Sequence, residues 1–518
     1  MVSFTRVISV AAGVFAPGHL GELTQFVPFE LVDEILAETG AVQRRLRLLP
    51  SRAGVYFVLA LGLFPHLGYA RVREKLTAGL AGLEGLQAVS EKALRDLRRR
   101  LGPAPFKAIF EFLAGPLAWP RTPGVSYKGL RTVAFDGCSS LHAPATGRNH
   151  AWLGRIRHPN GQAGYPAPRL MALAETGTRA LLGAVIGTAS DGDEPVLASR
   201  LLHLLGPGML VLADRAYDQG PFLAAVAGTG AHLLVRVKAN RHLDVLEVLP
   251  DGSFLSGIGD LAVRVTDAHV AVAGADGSRC GDRYRLVTTL LDPARYPAAD
   301  LVRLYHERWE IESAFYALRA TLLSGRVLRS GDRPGLEQEI WALLALYQLL
   351  RMAMTDAMSP AADPDRASFT TAVQAAADQL TAAASITGGS AITPAIQATI
   401  LPPRRPRYSA RTIKHPRSRY AAADDHRPRL PATITGVTIT ITTPRPGPAP
   451  RRPPAPGTLR HHITTLLTTT PGQPWTARDL ATQLHLNPAK LTRQLGRWAR
   501  AGHLTRTSTA TYTLANPP

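Results

Sequence analysis

The sequence predicts a mixed α/β fold flanked by helical regions, and three observations lead to it. Between residues 130 and 240, five apolar runs bounded by Gly, Asp or Asn ("RTVAFDG", "RLMALAET", "ALLGAVIGTA", "GMLVLADR" and "AHLLVRVKAN") have the length and composition of buried strands. A helix-patterned stretch, "EPVLASRLLHLLG", separates the third from the fourth. Helical periodicity with capping signals dominates on both sides, from residue 19 to about 118 and again from Tyr305 onward. With 518 residues and 45% hydrophobic content, the chain can bury a large core, and its length suggests roughly two to four domains.

The N-terminal helices are expected in "PFELVDEILAETG", in the apolar run "AGVYFVLALGLF" continuing to "YARVREKLTAGL", in "SEKALRDLRRRLG" and in "PFKAIFEFLAG". The apolar run is too short to span a bilayer and reads as a buried helix. Ser90 is the expected N-cap of the third helix and Gly102 its stop. Its Arg95, Arg98 and Arg99 form either a DNA-facing stripe or an ordinary solvated face. The stretch "VISVAAGVFAPG" has only one Arg before it and no small-x-small cleavage site, so it is not expected to act as a signal peptide. Two cysteines, Cys138 and Cys280, are too few for a disulfide framework and suggest a reducing compartment. The expected location is cytoplasmic, with no membrane association.

Residues 241 to 292 alternate apolar and polar with Gly turns, as in an antiparallel insertion. Helices are expected again in "EQEIWALLALYQLLRMAM" and "SFTTAVQAAADQL". From about residue 402 to 456 the chain is rich in Pro and Arg and reads as a linker, with a strand signal in "ATITGVTITITT". The end of the chain looks like a small folded module. Thr476 and Asp479 form a capping-box-like start, while Asn487, Pro488 and Gly502 bound a helix with Leu491, Leu495 and Trp498 on one face. Lys490, Arg493, Arg497 and Arg500 line another face. With the hairpin-like "HLTRTSTATYTLA", the pattern is that of a winged helix-turn-helix, whose second helix enters the major groove. A small helical protein-interaction domain is the alternative.

Charge separates this tail from the rest. The chain carries a net charge of +20; from residue 401 onward there are 19 Lys and Arg against 3 Asp and Glu, leaving 40 against 36 before it. An arginine-rich segment of this kind points to nucleic acid, where phosphate neutralisation supplies affinity. Contact with anionic membrane would need a basic amphipathic helix with exposed aromatics or a lipidation signal, and neither is evident.

Two predicted strands end in aspartate: Asp136 in "VAFDG" and Asp214 in "VLADR". Singly, each is an ordinary turn former. In an open α/β sheet, reactive groups collect outside the carboxyl ends of strands. The segment "YHERWEIESAFYALR" supplies a third acid. At about 100° per residue, Tyr305, Arg308, Glu312 and Arg319 share an arc of roughly 60° beside an apolar stripe of Leu304, Ile311, Phe315, Leu318 and Leu322. That row is either a solvated flank with i,i+4 ion pairs or a functional face. Three converging carboxylates repel one another unless cations bind between them, and hard oxygen ligands suit Mg²⁺ or Mn²⁺. Two such ions can drive an in-line phosphoryl transfer.

Together "VAFDG", "VLADRAYD" and Tyr-x2-Arg-x3-Glu-x6-Arg resemble the three signature regions of bacterial DDE transposases of the insertion-element-4 family, over roughly residues 19 to 375. The family's last motif ends in Lys, so Arg319 preserves the charge but not the shape. The first motif reads Asp-Gly-Cys where relatives commonly have Asp-Gly-Thr; a nucleophilic role for Cys138 would need a partnered base, and none is evident. The resemblance implies an RNase H-like catalytic core in which Asp136, Asp214 and Glu312 bind two Mg²⁺ or Mn²⁺ ions. It also implies that Tyr305, Arg308 and Arg319 hold transposon-end DNA. Arg236 and Lys238 are either phosphate contacts or salt-bridge partners.

The expected domains are a helical, DNA-binding region (1–118), an RNase H-like DDE core with a β-rich insertion (119–375), a Pro/Arg-rich linker (376–457) and the winged-helix-like module (458–518). The expected function is a nucleoid-associated bacterial DNA transposase that binds double-stranded DNA at terminal inverted repeats, cleaves there and joins 3′-hydroxyl ends to target DNA, self-associating on those ends. The alternatives are a non-catalytic DNA-binding regulator or inactive transposase remnant, and a general nuclease on the same fold.

Overall fold

A computed structural model describes residues 19–45, 49–78, 89–154, 157–158, 161–162, 165–238, 240–277, 279–381, 390–402, 434–444, 459–469, 475–500, 504–508 and 511–514. The signal-peptide-like stretch and most of the Pro/Arg-rich linker lie outside these residues. Two compact units divide the chain, residues 1–444 and 445–518.

The first unit begins with helices α1 (Phe29–Glu38), α2 (Ser51–Leu63), α3 (Tyr69–Leu76), α4 (Glu91–Leu101) and α5 (Ala104–Leu113). α4 starts as predicted, the Ser90 side chain accepting from the Ala93 amide, and stops at Gly102, whose φ of +65° would strain any other residue. Strands β1 (Ser126–Tyr127) and β2 (Leu130–Cys138) follow, then α6 (Gly147–Leu153) and a small separate hairpin of β3 (Arg157–His158) and β4 (Gly161–Gln162). Next come β5 (Arg169–Glu175), β6 (Leu181–Gly187), α7 (Glu194–Ser199), β7 (Met209–Ala213), α8 (Gly220–Gly228) and β8 (His232–Arg236). The insertion supplies β9 (Glu247–Val248), β10 (Phe254–Ile258), β11 (Leu261–Gly274) and β12 (Arg279–Thr288). After it lie α9 (Ala298–Leu304), α10 (Trp309–Tyr316), α11 (Arg333–Ala357), α12 (Phe369–Thr381), α13 (Ile392–Ala398) and β13 (Ile434–Ile441).

The five predicted strands are β2, β5, β6, β7 and β8. They lie in the order β6-β5-β2-β7-β8, with β5 and β6 antiparallel to their neighbours and β2, β7 and β8 mutually parallel. The insertion continues the same sheet, because β12 pairs with β8 and carries β11, β10 and β9 beyond it. One edge of the long β11 is shared, its first residues pairing with β10 and its last with β13. The stretch expected to be linker therefore contributes the end of α12, α13 and a sheet strand.

Alternation along the strands sorts their side chains onto two faces. Ala134, Cys138, Leu210, Leu212 and Leu234 face a cluster built from the N-terminal helices, α10 and α11. Val133, Phe135, Val211, Ala213, Leu233 and Val235 face a second cluster with Leu197 and Ala198 of α7 and Phe222 and Leu223 of α8. α11 is buried on all sides from Ile340 to Arg351, as a helix inside a large core must be. Its glutamines join the layers: the Gln348 amide nitrogen donates to the Leu113 carbonyl at 3.1 Å while its oxygen accepts from the Leu181 amide at 3.0 Å. Gln338 similarly accepts from Arg98 at 2.9 Å. The N-terminal helices thus close on α11, and Arg98, expected on a DNA-facing stripe or a solvated face, is a buried clamp that also reaches Tyr69 and Ser330.

The second unit contains α14 (Leu459–Thr469), β14 (Trp475–Thr476), α15 (Ala477–Gln483), α16 (Pro488–Arg500), β15 (Leu504–Ser508) and β16 (Thr511–Leu514). Its strands form a sheet in the order β14-β16-β15. Thr476 and Asp479 make the reciprocal capping box, and Asn487 Oδ1 accepts from the Ala489 amide at 3.0 Å. Ile463, Leu480, Leu491, Leu495 and Tyr512 form the core. Gly502, the expected stop of α16, lies outside the described residues.

Candidate active site

β2 and β7 run parallel with Ala134 opposite Leu212, so two residues further along, Asp136 stands opposite Asp214 at the carboxyl ends of adjacent strands. Asp136 occupies the face that carries Ala134 and Cys138, the side against which α10 packs through Ile311, Ala314 and Phe315. Gly137 donates to Asp136 Oδ1 at 3.0 Å. Asp214 caps the following 3₁₀ turn, its Oδ1 accepting from the Ala216 amide at 2.8 Å.

The third motif departs from a uniform helix. Tyr305–Arg308 is a 3₁₀ turn, Trp309–Tyr316 is α-helical, and Ala317–Leu322 is a π-helical turn. A 100° wheel therefore misplaces both ends, and π turns of this kind recur at functional sites. Glu312 remains half-exposed toward Asp136, whereas Tyr305 is 3% exposed and packs edge-on against Tyr284. Arg308 is 2% exposed; it donates to Glu312 at 2.9 Å, approaches Asp136 at 3.9 Å and stacks on Trp309. Tyr305 and Arg308, expected at a DNA-facing edge, are thus buried, because the 3₁₀ turn rotates them inward onto the insertion strand β12 and the acids. Arg319 is exposed and donates to Ser140 Oγ at 2.9 Å, just after the first motif.

Electrostatics mark Asp136 as the stressed group. Burial pushes its carboxyl up to about 7; Arg308 opposes the shift, while Glu312, Glu194 and Asp214 add to it. Glu194, the first residue of α7, is itself raised by burial and then by Asp214. Its only sequence signal is a position in "DGDEP", after a predicted strand, which is that of an ordinary turn acid. Arg308 is held above its ordinary value: burial opposes this most, but Tyr305, Asp136 and Glu312 together outweigh it.

Cys138 is buried, with its Sγ 3.3 Å from Ser140 Oγ, so it lacks the exposure of a nucleophile. Arg236 pairs with Asp282 at 3.0 Å and stacks on Tyr284, and Lys238 reaches Asp218 at 3.3 Å while staying exposed. Each of the two therefore has an acidic partner within the fold. On α16, Arg493 and Arg497 are exposed, while the side chains of Lys490 and Arg500 lie outside the described residues.

The donor set is all carboxylate oxygen, and burial followed by repulsion from neighbouring acids raises Asp136, which suits a hard divalent cation. Among the described residues no group of three His, Cys, Asp or Glu is drawn close enough to enclose a metal ion. Arg308 stands between Asp136 and Glu312 as their present counter-charge. The residues fit a hard cation in donor chemistry, while their carboxylates do not converge on one point.

Residues 129–349 match the family model of the transposase DDE domain, and residues 17–111 match that of the insertion element 4 transposase N-terminal region. The chain is 28% identical over 351 residues to the transposase InsG for insertion sequence element IS4 of Escherichia coli K12, covering 65% of this chain and 76% of that protein. A putative transposase of the same organism, InsZ, is 23% identical over 227 residues, covering 43% and 74%. Among solved structures, the piggyBac transposase synaptic complex with hairpin DNA is similar at a TM-score of 0.40 and 12% identity, covering 76% of this chain and 87% of that one. This chain belongs to the insertion element 4 family of DDE transposases. It is a DNA transposase, of a class whose members use divalent metal ions to cleave DNA and transfer strands. No helix among the described residues is long and apolar enough to cross a membrane.

Proposed function

We propose that this transposase binds the terminal inverted repeats of its own insertion element, cuts there and joins the freed 3′-hydroxyls to target DNA. The observation that carries the proposal is the side-by-side register of Asp136 and Asp214, to which Arg308 ties Glu312. Asp136, Asp214 and Glu312 would hold two Mg²⁺ or Mn²⁺ ions. When bound, such ions supply activation of the attacking oxygen and neutralise charge on the phosphate. Arg308 orients Glu312 and restrains Asp136 from within the fold, so it and Tyr305 act as positioning residues rather than DNA contacts. Arg319, exposed beside the first motif, takes a phosphate of the cleaved strand, and Lys238 offers a second contact at the cost of its Asp218 pair. The three antiparallel strands followed by two parallel ones support an RNase H-like core.

The C-terminal unit acts as a winged helix-turn-helix, with α16 as the recognition helix and β15–β16 as the wing; the exposed Arg493 and Arg497 support this. Together with the N-terminal helices it gives two grips on DNA, and pairing of two ends calls for self-association at the bacterial nucleoid. The test is Mg²⁺-dependent cleavage of a duplex carrying the repeats that flank the gene. Wild type should cut it and Asp214→Asn should bind without cutting. Equal activity of the two proteins sinks the catalytic assignment, and equal cutting of duplexes without the repeats makes the protein a general nuclease.

A further inference from the structure

We infer that Glu194 is a fourth carboxylate of the cation site, reaching the sheet edge across Gly137 from the face opposite α10. This rests on the reading of Asp136, Asp214 and Glu312 as cation ligands. Three observations support it. First, α7 is anchored on the second face by Leu197 and Ala198, which aims its leading residue at the carboxyl ends of β2 and β7. Second, Gly137 clears the path: a Cβ there would meet Glu194 Oε1 at 2.8 Å and its Cδ at 3.0 Å. Gly137 pairs with Met171 in regular strand and has no left-handed backbone, so space rather than conformation calls for glycine. Third, the Glu194 carboxylate is half-buried, yet among the described residues it has no hydrogen bond or ion pair. Its neighbour Asp193 instead accepts from Gln219 at 3.1 Å.

A half-buried acid beside two others costs stability unless a cation offsets it. Arg169 and Arg308 are the cations whose charge reaches Glu194, but neither bonds to it: Arg169 donates to the Gly192 carbonyl and Arg308 to Glu312. A divalent ion at the strand ends would meet Glu194 from one side and Glu312 from the other. The Asp-Gly pair of the first motif then has a division of labour, Asp136 as ligand and Gly137 as the gap that admits Glu194.

Mn²⁺ binding to the full chain, read as loss of the free-ion EPR signal, tests this without reference to DNA cleavage. Glu194→Gln should weaken Mn²⁺ binding about tenfold or more. Gly137→Ala, which displaces the Glu194 carboxylate, should weaken it comparably, and the double variant should lose little beyond either single one. Circular dichroism and thermal melting confirm folding; should Gly137→Ala not fold, Glu194→Gln decides alone. If Asp136→Asn weakens binding while Glu194→Gln stays close to wild type, the role of Glu194 is overturned and the three-acid site stands. If wild type binds no Mn²⁺, or Asp136→Asn binds as well as wild type, the underlying cation reading is overturned with it.

Discussion

Replacing Asp136 with Asn should remove a pH-dependent weakness that the metal-free site builds into the fold. Burial, reinforced by Glu312, Glu194 and Asp214, raises the Asp136 carboxyl from 3.8 to about 7. Between those values the folded chain holds a proton that the unfolded chain has released, so stability falls as pH rises through this window. No penalty exists below pH 4, and above pH 7 it is complete. A shift of about three units corresponds to roughly 4 kcal/mol, at 1.36 kcal/mol per unit. Asp365, buried beside Arg179 and also raised to about 7, titrates in the same range, so the informative quantity is the difference between wild type and variant. Urea unfolding followed by tryptophan fluorescence at pH 5 and pH 8, in EDTA, should show wild type losing roughly 2.5–3 kcal/mol more than Asp136→Asn between the two, since about two of the three units lie above pH 5. Mg²⁺ should restore wild type at pH 8 and leave the variant nearly unchanged. Parallel behaviour of the two proteins in EDTA, or equal stabilisation by Mg²⁺, would refute the electrostatic account of the site.

Two further outcomes probe the scaffold and the tail. Arg131 makes a direct ion pair with Glu175, which is fully buried and also accepts from Thr178. Arg131→Ala leaves that acid without its counter-charge and should cost about 3–5 kcal/mol in urea unfolding; a loss below about 1 kcal/mol, the range of a surface pair, would contradict the burial argument. Arg493→Ala combined with Arg497→Ala should weaken binding to any duplex and lower the salt slope of log K by about 2, as two phosphate contacts require. An unchanged slope in a fluorescence anisotropy titration would remove α16 from the DNA interface.

The local parts of this protein are determined by residues near one another in the chain. Short apolar runs bounded by turn residues produce β2, β5, β6, β7 and β8, and turn chemistry leaves Asp136 and Asp214 at strand ends. Ser90, Thr476 and Asn487 cap helices through bonds spanning two or three residues. These features need no knowledge of the rest of the fold, and the three ordered acidic motifs could therefore be read directly. Tertiary packing decided what those motifs face. The parallel register of β2 with β7 makes neighbours of two aspartates 78 positions apart, and no periodicity encodes that pairing. The wheel that grouped Tyr305 and Arg308 with Glu312 assumed one helical pitch, whereas the packed segment passes through three, turning the first two inward. Arg98 and Arg236 read as surface charge until Gln338 and Asp282, distant in sequence, are seen to receive them. Glu194 carried no motif; its place beside the acids follows from a helix on the opposite face and a glycine that leaves room. Hydrogen-bonding and apolar periodicity act over a few residues, while burial, ion pairing and carboxylate repulsion depend on which distant segments the core brings into contact.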